Sequence, residues 1–418
     1  MKQPVFLRTV GALIAGSGAQ LAGSVGSALI ATLVLPVEQR GLMVVVATIA
    51  AFVGLLGGAG AGNAYRRRHP SDQHPESLAA DFAWLAVALV VTSGIAGAVI
   101  CLLMSGLADP RLGGAPYLIA TGLAASMQVL LLLVTDARFA LGHFMAGARW
   151  AAGAAAAGFA GVCVALATEG DAALVVALQA AFQGAVLVCA TAAATRARAL
   201  VWARPTTARV GILLGEGLRS LVLPLAIVVV SRFDRLVLAV YDTTAAVAVY
   251  ALAATFVEIA RLAPIAIGQL TTREVATGAA WRDIRGRMVV ATLAAAVGGA
   301  ILIVVSYLVV PMLFEPAYAE APGVAVVLVG SEIVAAVVLV ANLAIIGGGW
   351  SAQAIRIGVV AIVIAIPAYA IGAVVGGMFG VAYARLLVFG VLAALMWVAV
   401  RRGLMSSARE SHPTQGVR

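Results

Sequence analysis

Twelve apolar runs, each roughly the length needed to cross a bilayer, alternate along this chain with short clusters of proline, glycine and charge. A helix needs about 20 apolar residues to span hydrocarbon. The runs predict helices at 10–35, 42–63, 81–106, 116–136, 148–167, 172–194, 218–241, 244–268, 288–310, 322–346, 353–375 and 378–400. Most breaks are polar, as at Pro36 to Arg40, Arg66 to Pro75, Arg196 to Arg209 and Thr271 to Arg287. Two carry almost no polarity, Gly347 to Gly349 and Gly376 to Gly377. The runs lack the two-residue alternation of a membrane barrel, which leaves the helix as the spanning form, since it satisfies its backbone internally. The fold class expected is all-α and polytopic.

Composition sharpens this picture. Of 418 residues, 63% are hydrophobic and 11% charged, against about a quarter charged in a soluble domain. The net charge of +9 fits a membrane protein better than a nucleic-acid binder once the basic residues are placed. With the amino terminus inside, 20 of the 27 Lys and Arg residues fall on one side of the membrane, among them Arg66, Arg67, Arg68, Arg282, Arg285 and Arg287. The opposite side holds Arg40 and Arg111. This bias is the positive-inside rule, and it places both termini in the cytoplasm of a bacterium, with the chain in its plasma (inner) membrane. The start resembles a signal peptide but lacks a convincing cleavage motif, so it reads as an uncleaved first helix. Cys101, Cys163 and Cys189 lie within apolar runs and read as small hydrophobes, not as a disulfide or metal framework.

The longest polar connection divides the spans into six and six. Residues 1–200 form an expected amino-terminal lobe, 201–217 a cytoplasmic linker suited to the membrane surface, 218–402 a second lobe and 403–418 a cytoplasmic tail. A shift of 204 residues sets Val45, Ala47, Ala50, Phe52 and Val53 over Val249, Ala251, Ala254, Phe256 and Val257, and Glu38 over Asp242. Such a repeat is a known transporter plan.

Catalysis has little to work with. His69, His74, His143 and His412 lie in loops or the tail, no carboxylate pair or metal-ligand spacing accompanies them, and no phosphate-cradling glycine loop is present. No cofactor is implied. The informative residues are charges inside spans, because burial in hydrocarbon is costly and such charges usually serve a pathway. They are Arg232, Asp234 and Arg235 in the seventh span, Glu258 and Arg261 in the eighth, Glu332 in the tenth and Arg385 in the twelfth. Arg232 and Arg235 share a helix face, whereas Asp234 points about 200° away from Arg232 toward a neighbour. Each has a structural alternative: Asp234 pairing with Arg235 or a distant arginine, Glu258 pairing with Arg261, and Arg356 snorkelling at a helix end. Arg385 has no assigned partner. The balance is slightly positive, which suits an anionic group such as a pyrophosphate. The first half is nearly free of charge within its spans and rich in glycine, which allows either tight static packing or sliding.

Three stretches resemble one family. Leu35-Pro36-Val37-Glu38-Gln39-Arg40-Gly41 is similar to the opening motif of polysaccharide-type lipid-linked oligosaccharide flippases. Leu223-Pro224 through Phe233-Asp234-Arg235-Leu236 to Val249-Tyr250-Ala251 matches their proline-bearing seventh helix and the start of their eighth, and Gly377-Met378-Phe379-Gly380 matches their closing glycine motif. The resemblance implies the multidrug/oligosaccharidyl-lipid/polysaccharide exporter superfamily: two six-helix lobes (MATE-like) around a central cavity that opens to either side alternately. It further implies an undecaprenyl-pyrophosphate-linked glycan as substrate, membrane lipids as surroundings, and glycosyltransferases and a polymerase acting before and after. Two features depart from the superfamily: little charge in the first lobe, and no acidic residue in the first helix as in proton-coupled drug exporters. Besides the flippase, the sequence leaves open an ion-coupled drug or metabolite exporter, a membrane enzyme of glycan assembly, and a scaffold.

Overall fold

The structure, a computed structural model, describes residues 3–276 and 278–410. Helix follows helix: α1 (Gln3–Val34), α2 (Val37–Gly57), α3 (Ala61–Arg68), α4 (Pro75–Leu107), α5 (Ala115–Ala140), α6 (Phe144–Ala167), α7 (Ala172–Arg196), α8 (Thr207–Tyr241), α9 (Thr244–Glu258), α10 (Leu262–Ala276), α11 (Trp281–Leu313) and α12 (Ala321–Gly348). The helical stretch Ser351–Glu410 is interrupted at Gly376 and Gly377, where φ reaches +52° at Gly377. A Cβ on Gly372 would fall 2.6 Å from the carbonyl oxygen of Gly380. Residues eight apart in one straight helix would stand about 12 Å apart, so the chain reverses here, and the stretch is two helices, α13 (351–375) and α14 (378–410).

Among the described residues, ten helical stretches are long and apolar enough to cross a membrane, with α2–α3 and α9–α10 each counting once. The last of the ten contains both α13 and α14, and α1 supplies one more, which gives the twelve spans expected. The helices turn large side chains outward. On α11, Val290, Leu293, Val297, Ile301, Val304 and Leu308 are exposed at spacings of three and four, while Ala291, Ala295, Gly299 and Ser306 are buried. In water this would be costly; in lipid the outside is as apolar as the core, and small residues bring helices together.

Contacts divide the chain into two compact units, and the boundary runs through α8 and α9. Unit 1 comprises Met1–Leu221 with Leu238–Ala251; unit 2 comprises Val222–Val237 with Leu252–Arg418. The sequence placed the start of the seventh span at 218, but α8 begins at Thr207, so much of the expected linker is helix. Its first turn is held by Asp81, whose carboxylate accepts from Thr206 N–H at 2.5 Å. Residues 403–410 likewise continue α14, and the rest of the expected tail, with His412, lies outside the described residues.

The second span of each half is broken, at residues 58–60 in the first and 259–261 in the second. In unit 1 the break between α2 and α3 has Ala59 and Gly60 at φ +46° and +63°. A Cβ on Gly60 would lie 2.2 Å from the carbonyl oxygen of Gly217 on α8, so only glycine fits this backbone-to-backbone contact. In unit 2 the break is a single 3₁₀ turn, Ile259–Arg261, between α9 and α10. Pro264 follows, and its ring displaces the carbonyl four residues earlier, at Ala260. The 204-residue shift sets Gly60 over Pro264, which lies in the first turn of α10 just past the second break. Asn63, expected to end its helix, instead lies in the first turn of α3.

Candidate functional site: a buried ion network in unit 2

Six of the seven charges picked out in the sequence meet in unit 2. Arg385 on α14 is wholly buried; its Nη1 donates to Asp234 Oδ2 on α8 at 2.9 Å and its Nη2 to Glu332 Oε1 on α12 at 2.6 Å. Arg261, in the 3₁₀ turn, grips the same Glu332 with Nε and Nη2, the latter at 2.6 Å from Oε1. Arg235 on α8 donates from Nη2 to Glu258 Oε1, at the end of α9, at 2.7 Å. The Asp234 carboxylate also accepts from Arg235 N–H at 2.8 Å. Three guanidiniums thus face three carboxylates, and the six formal charges cancel.

The helix break explains why Glu258 and Arg261 belong to this network. Pro264 ends regular α-helix just ahead of it, and the 3₁₀ turn presents both side chains to neighbouring helices. The sequence paired Glu258 with Arg261, and the structure overturns this. An i, i+3 pair on one helix stabilises by only about 0.2–0.5 kcal/mol, whereas Glu332 offers Arg261 a two-bond fork from another helix. Asp234 finds a distant arginine, one of the options its helix position left open, and Arg385 proves to be that partner.

Arg232 stands apart. It lies three residues before Arg235, half-buried, and makes no hydrogen bond or ion pair with any described residue. Its charge is attracted by Glu258 and repelled by Arg235 and Arg261. Once the six neighbours cancel, Arg232 is the net positive charge of this region. Arg356 is exposed near the start of α13, as a snorkelling residue would be.

Sequence reasoning missed Tyr369. It is buried on α13, its hydroxyl donates to the Val230 carbonyl at 2.5 Å, and Asp234 and Arg385 are close enough to act on it electrostatically. The only signal available was a tyrosine two residues after Pro367 within an apolar run. The ring of Phe389 lies 5.8 Å beneath the guanidinium of Arg385, on the helix that carries both. Unit 1 holds more helical charge than expected, because its helices outrun their apolar runs: Asp81 and Arg138 are buried near helix ends, and Asp136 pairs with Arg66 at 3.1 Å. Outside the spans, burial holds the His69 imidazole below its ordinary pKa. Among the described residues no group of three or more His, Cys, Asp or Glu is placed to hold a metal ion.

No protein-family model and no curated protein matches the sequence. Solved structures match it in fold along nearly its whole length. An inward-facing multidrug resistance MATE family transporter of the MOP superfamily is 15% identical with a TM-score of 0.69, covering 94% of this chain and 96% of its own. A mutant form of a MATE transporter from Vibrio cholerae is 18% identical with a TM-score of 0.62, covering 96% of each chain. A MOP superfamily transporter from Pyrococcus furiosus, described as having a binding pocket of reversed polarity that suggests a different function, is 13% identical with a TM-score of 0.62, covering 96% of this chain and 95% of its own. At these identities the likeness is one of fold, and this all-helical membrane chain has the fold of the MATE transporters.

Proposed function

We propose that this protein is a transporter that turns an undecaprenyl-pyrophosphate-linked oligosaccharide from the inner to the outer leaflet of the bacterial plasma membrane. In this reading the two six-helix halves alternate access, both termini are cytoplasmic, glycosyltransferases build the substrate, and a polymerase uses it afterwards. The observation that carries the reading is Arg232, a half-buried guanidinium in a membrane span with no hydrogen-bonded carboxylate among the described residues, beside a network whose own charges cancel. An uncompensated cation at that depth is costly, and a phosphate-bearing headgroup would compensate it. The other six charges bond to one another and cancel, which leaves the region neutral apart from Arg232. The motifs at Leu35–Gly41, Leu223–Ala251 and Gly377–Gly380 support the same assignment.

The test is a deletion strain, complemented with wild type or Arg232→Gln, with lipid-linked oligosaccharides measured by mass spectrometry alongside surface polysaccharide. Glutamine keeps the size and hydrogen bonding but removes the charge. Lipid-linked glycan is expected to accumulate, and surface polymer to fall at least tenfold, in the deletion and in Arg232→Gln, with the variant present in the membrane at wild-type level. Normal glycan in both strains would defeat the reading. A drug or metabolite exporter is the second reading, favoured by the multidrug transporters among the structural matches; it predicts altered drug susceptibility on deletion and an unchanged lipid-glycan pool.

A further inference from the structure

A second polar site lies in unit 1. A pocket of about 320 Å³ opens between the α3–α4 connection and the start of α8, lined by Arg68, Asp72, Gln73, His74, Leu78, Arg209 and Ile212. The carboxylate that lines it, Asp72, and the adjoining Glu216 are already engaged. Glu216 takes both bonds of a fork from Arg68, at 2.5 and 3.0 Å, and Arg67 and Arg219 also act on it. Asp72 turns its Oδ1 to the His74 N–H at 2.8 Å. Arg209 is left 3.7 Å from that same oxygen, too far for a hydrogen bond, and its buried Nη1 has no acceptor among the described residues.

The surroundings fit a membrane–water interface. The segments that follow and precede these, α4 and the 201–206 connection, meet at an edge-to-face pair of Trp84 and Trp202, both about half exposed. Trp84 is tied to the Ala203 carbonyl through its indole N–H at 2.9 Å. Ile212, one turn beyond Arg209, is 43% exposed. Tryptophans collect at headgroup depth, and basic pockets beside apolar surface on the cytoplasmic side receive anionic headgroups.

We infer that this pocket binds a phosphate anion through Arg209, and that the phosphate belongs to an anionic phospholipid whose chains run along Ile212 and the outer face of α4. The lipid would then tie the α8 extension to the α3–α4 connection. The site is independent of the transport reading and stands whichever substrate the protein carries.

The experiment uses the full-length protein, delipidated in detergent, with phosphatidylglycerol, phosphatidylcholine or inorganic phosphate added and binding followed by native mass spectrometry and thermal unfolding. Phosphatidylglycerol is expected to bind and stabilise wild type. Arg209→Gln should weaken this by about tenfold or more, corresponding to about 1.4 kcal/mol. Arg209→Lys should restore part of it, because the charge returns without the fork. Arg196→Gln, an exposed arginine outside the pocket, should bind like wild type. Equal binding of phosphatidylglycerol by wild type, Arg209→Gln and Arg209→Lys would overturn the site. An Arg209-dependent response to inorganic phosphate, with none to phosphatidylglycerol, would overturn the lipid as its source.

Discussion

Replacing Arg385 by methionine is the sharpest test of what the buried network contributes. Arg385 has no exposed surface and holds Asp234 and Glu332 at 2.9 and 2.6 Å. Methionine fills much of the same space but carries no charge. Glu332 keeps its two bonds from Arg261, so the charge left uncompensated is chiefly that of Asp234, itself fully buried. Removing one member of a buried pair costs about 3–5 kcal/mol, whereas replacing both members by neutral groups is often nearly free. Arg385→Met should therefore lose about 3–5 kcal/mol, and Asp234→Asn with Arg385→Met should regain most of it, despite carrying one more substitution. The assay is unfolding of each purified variant in the same detergent, by denaturant or by heat, arranged as a double-mutant cycle with Asp234→Asn alone. A double variant no more stable than Arg385→Met would refute the reasoning. So would a single variant within about 1 kcal/mol of wild type, because either result would mean that charge pairing does not hold these helices together.

Two further outcomes are expected. Gly41→Ala places a methyl group 1.8 Å from the Thr244 carbonyl oxygen and should cost about 1–3 kcal/mol by overpacking; Gly106→Ala, with nothing within 4 Å, should be neutral or stabilising by up to about 1 kcal/mol, and thermal unfolding of both compares them. Asp109 accepts bonds from the Arg111 guanidinium and backbone N–H, which hold its carboxyl below the ordinary range. A depressed carboxylate stabilises the fold above its unfolded pKa of about 3.9 and loses that contribution as pH falls through the folded value. Asp109→Asn should accordingly remove a small acid-side component of stability, no more than about 1 kcal/mol at this partly exposed pair, in unfolding measured between pH 5 and pH 2.

The number of spans and the residues of the ion network were legible in the chain, because hydrocarbon imposes strict rules: a fixed thickness to cross and a high cost for any charge placed inside it. A run of 20 apolar residues or an arginine in mid-run is visible without any neighbour. Helix ends were less legible. Hydropathy reports where the hydrocarbon stops, while helical hydrogen bonding continues into polar sequence, so α4 begins at Pro75 where 81 was expected and α8 at Thr207 where 218 was expected. The glycine-rich second span likewise read as one helix, although Gly60 breaks it where Gly217 packs against it.

What the sequence alone determined, then, was an all-helical membrane chain, its twelve spans and the short list of charges within them. The partners of those charges were decided by tertiary structure. Periodicity brings Glu258 near Arg261, three residues away, yet Arg261 bonds Glu332, 71 residues on, and Arg385 bonds Asp234, 151 residues back. Spacing along a helix says which side chains share a face, but only packing says which other helix that face meets. In a low-dielectric interior, the partner that offers a two-bond fork prevails over the nearer one.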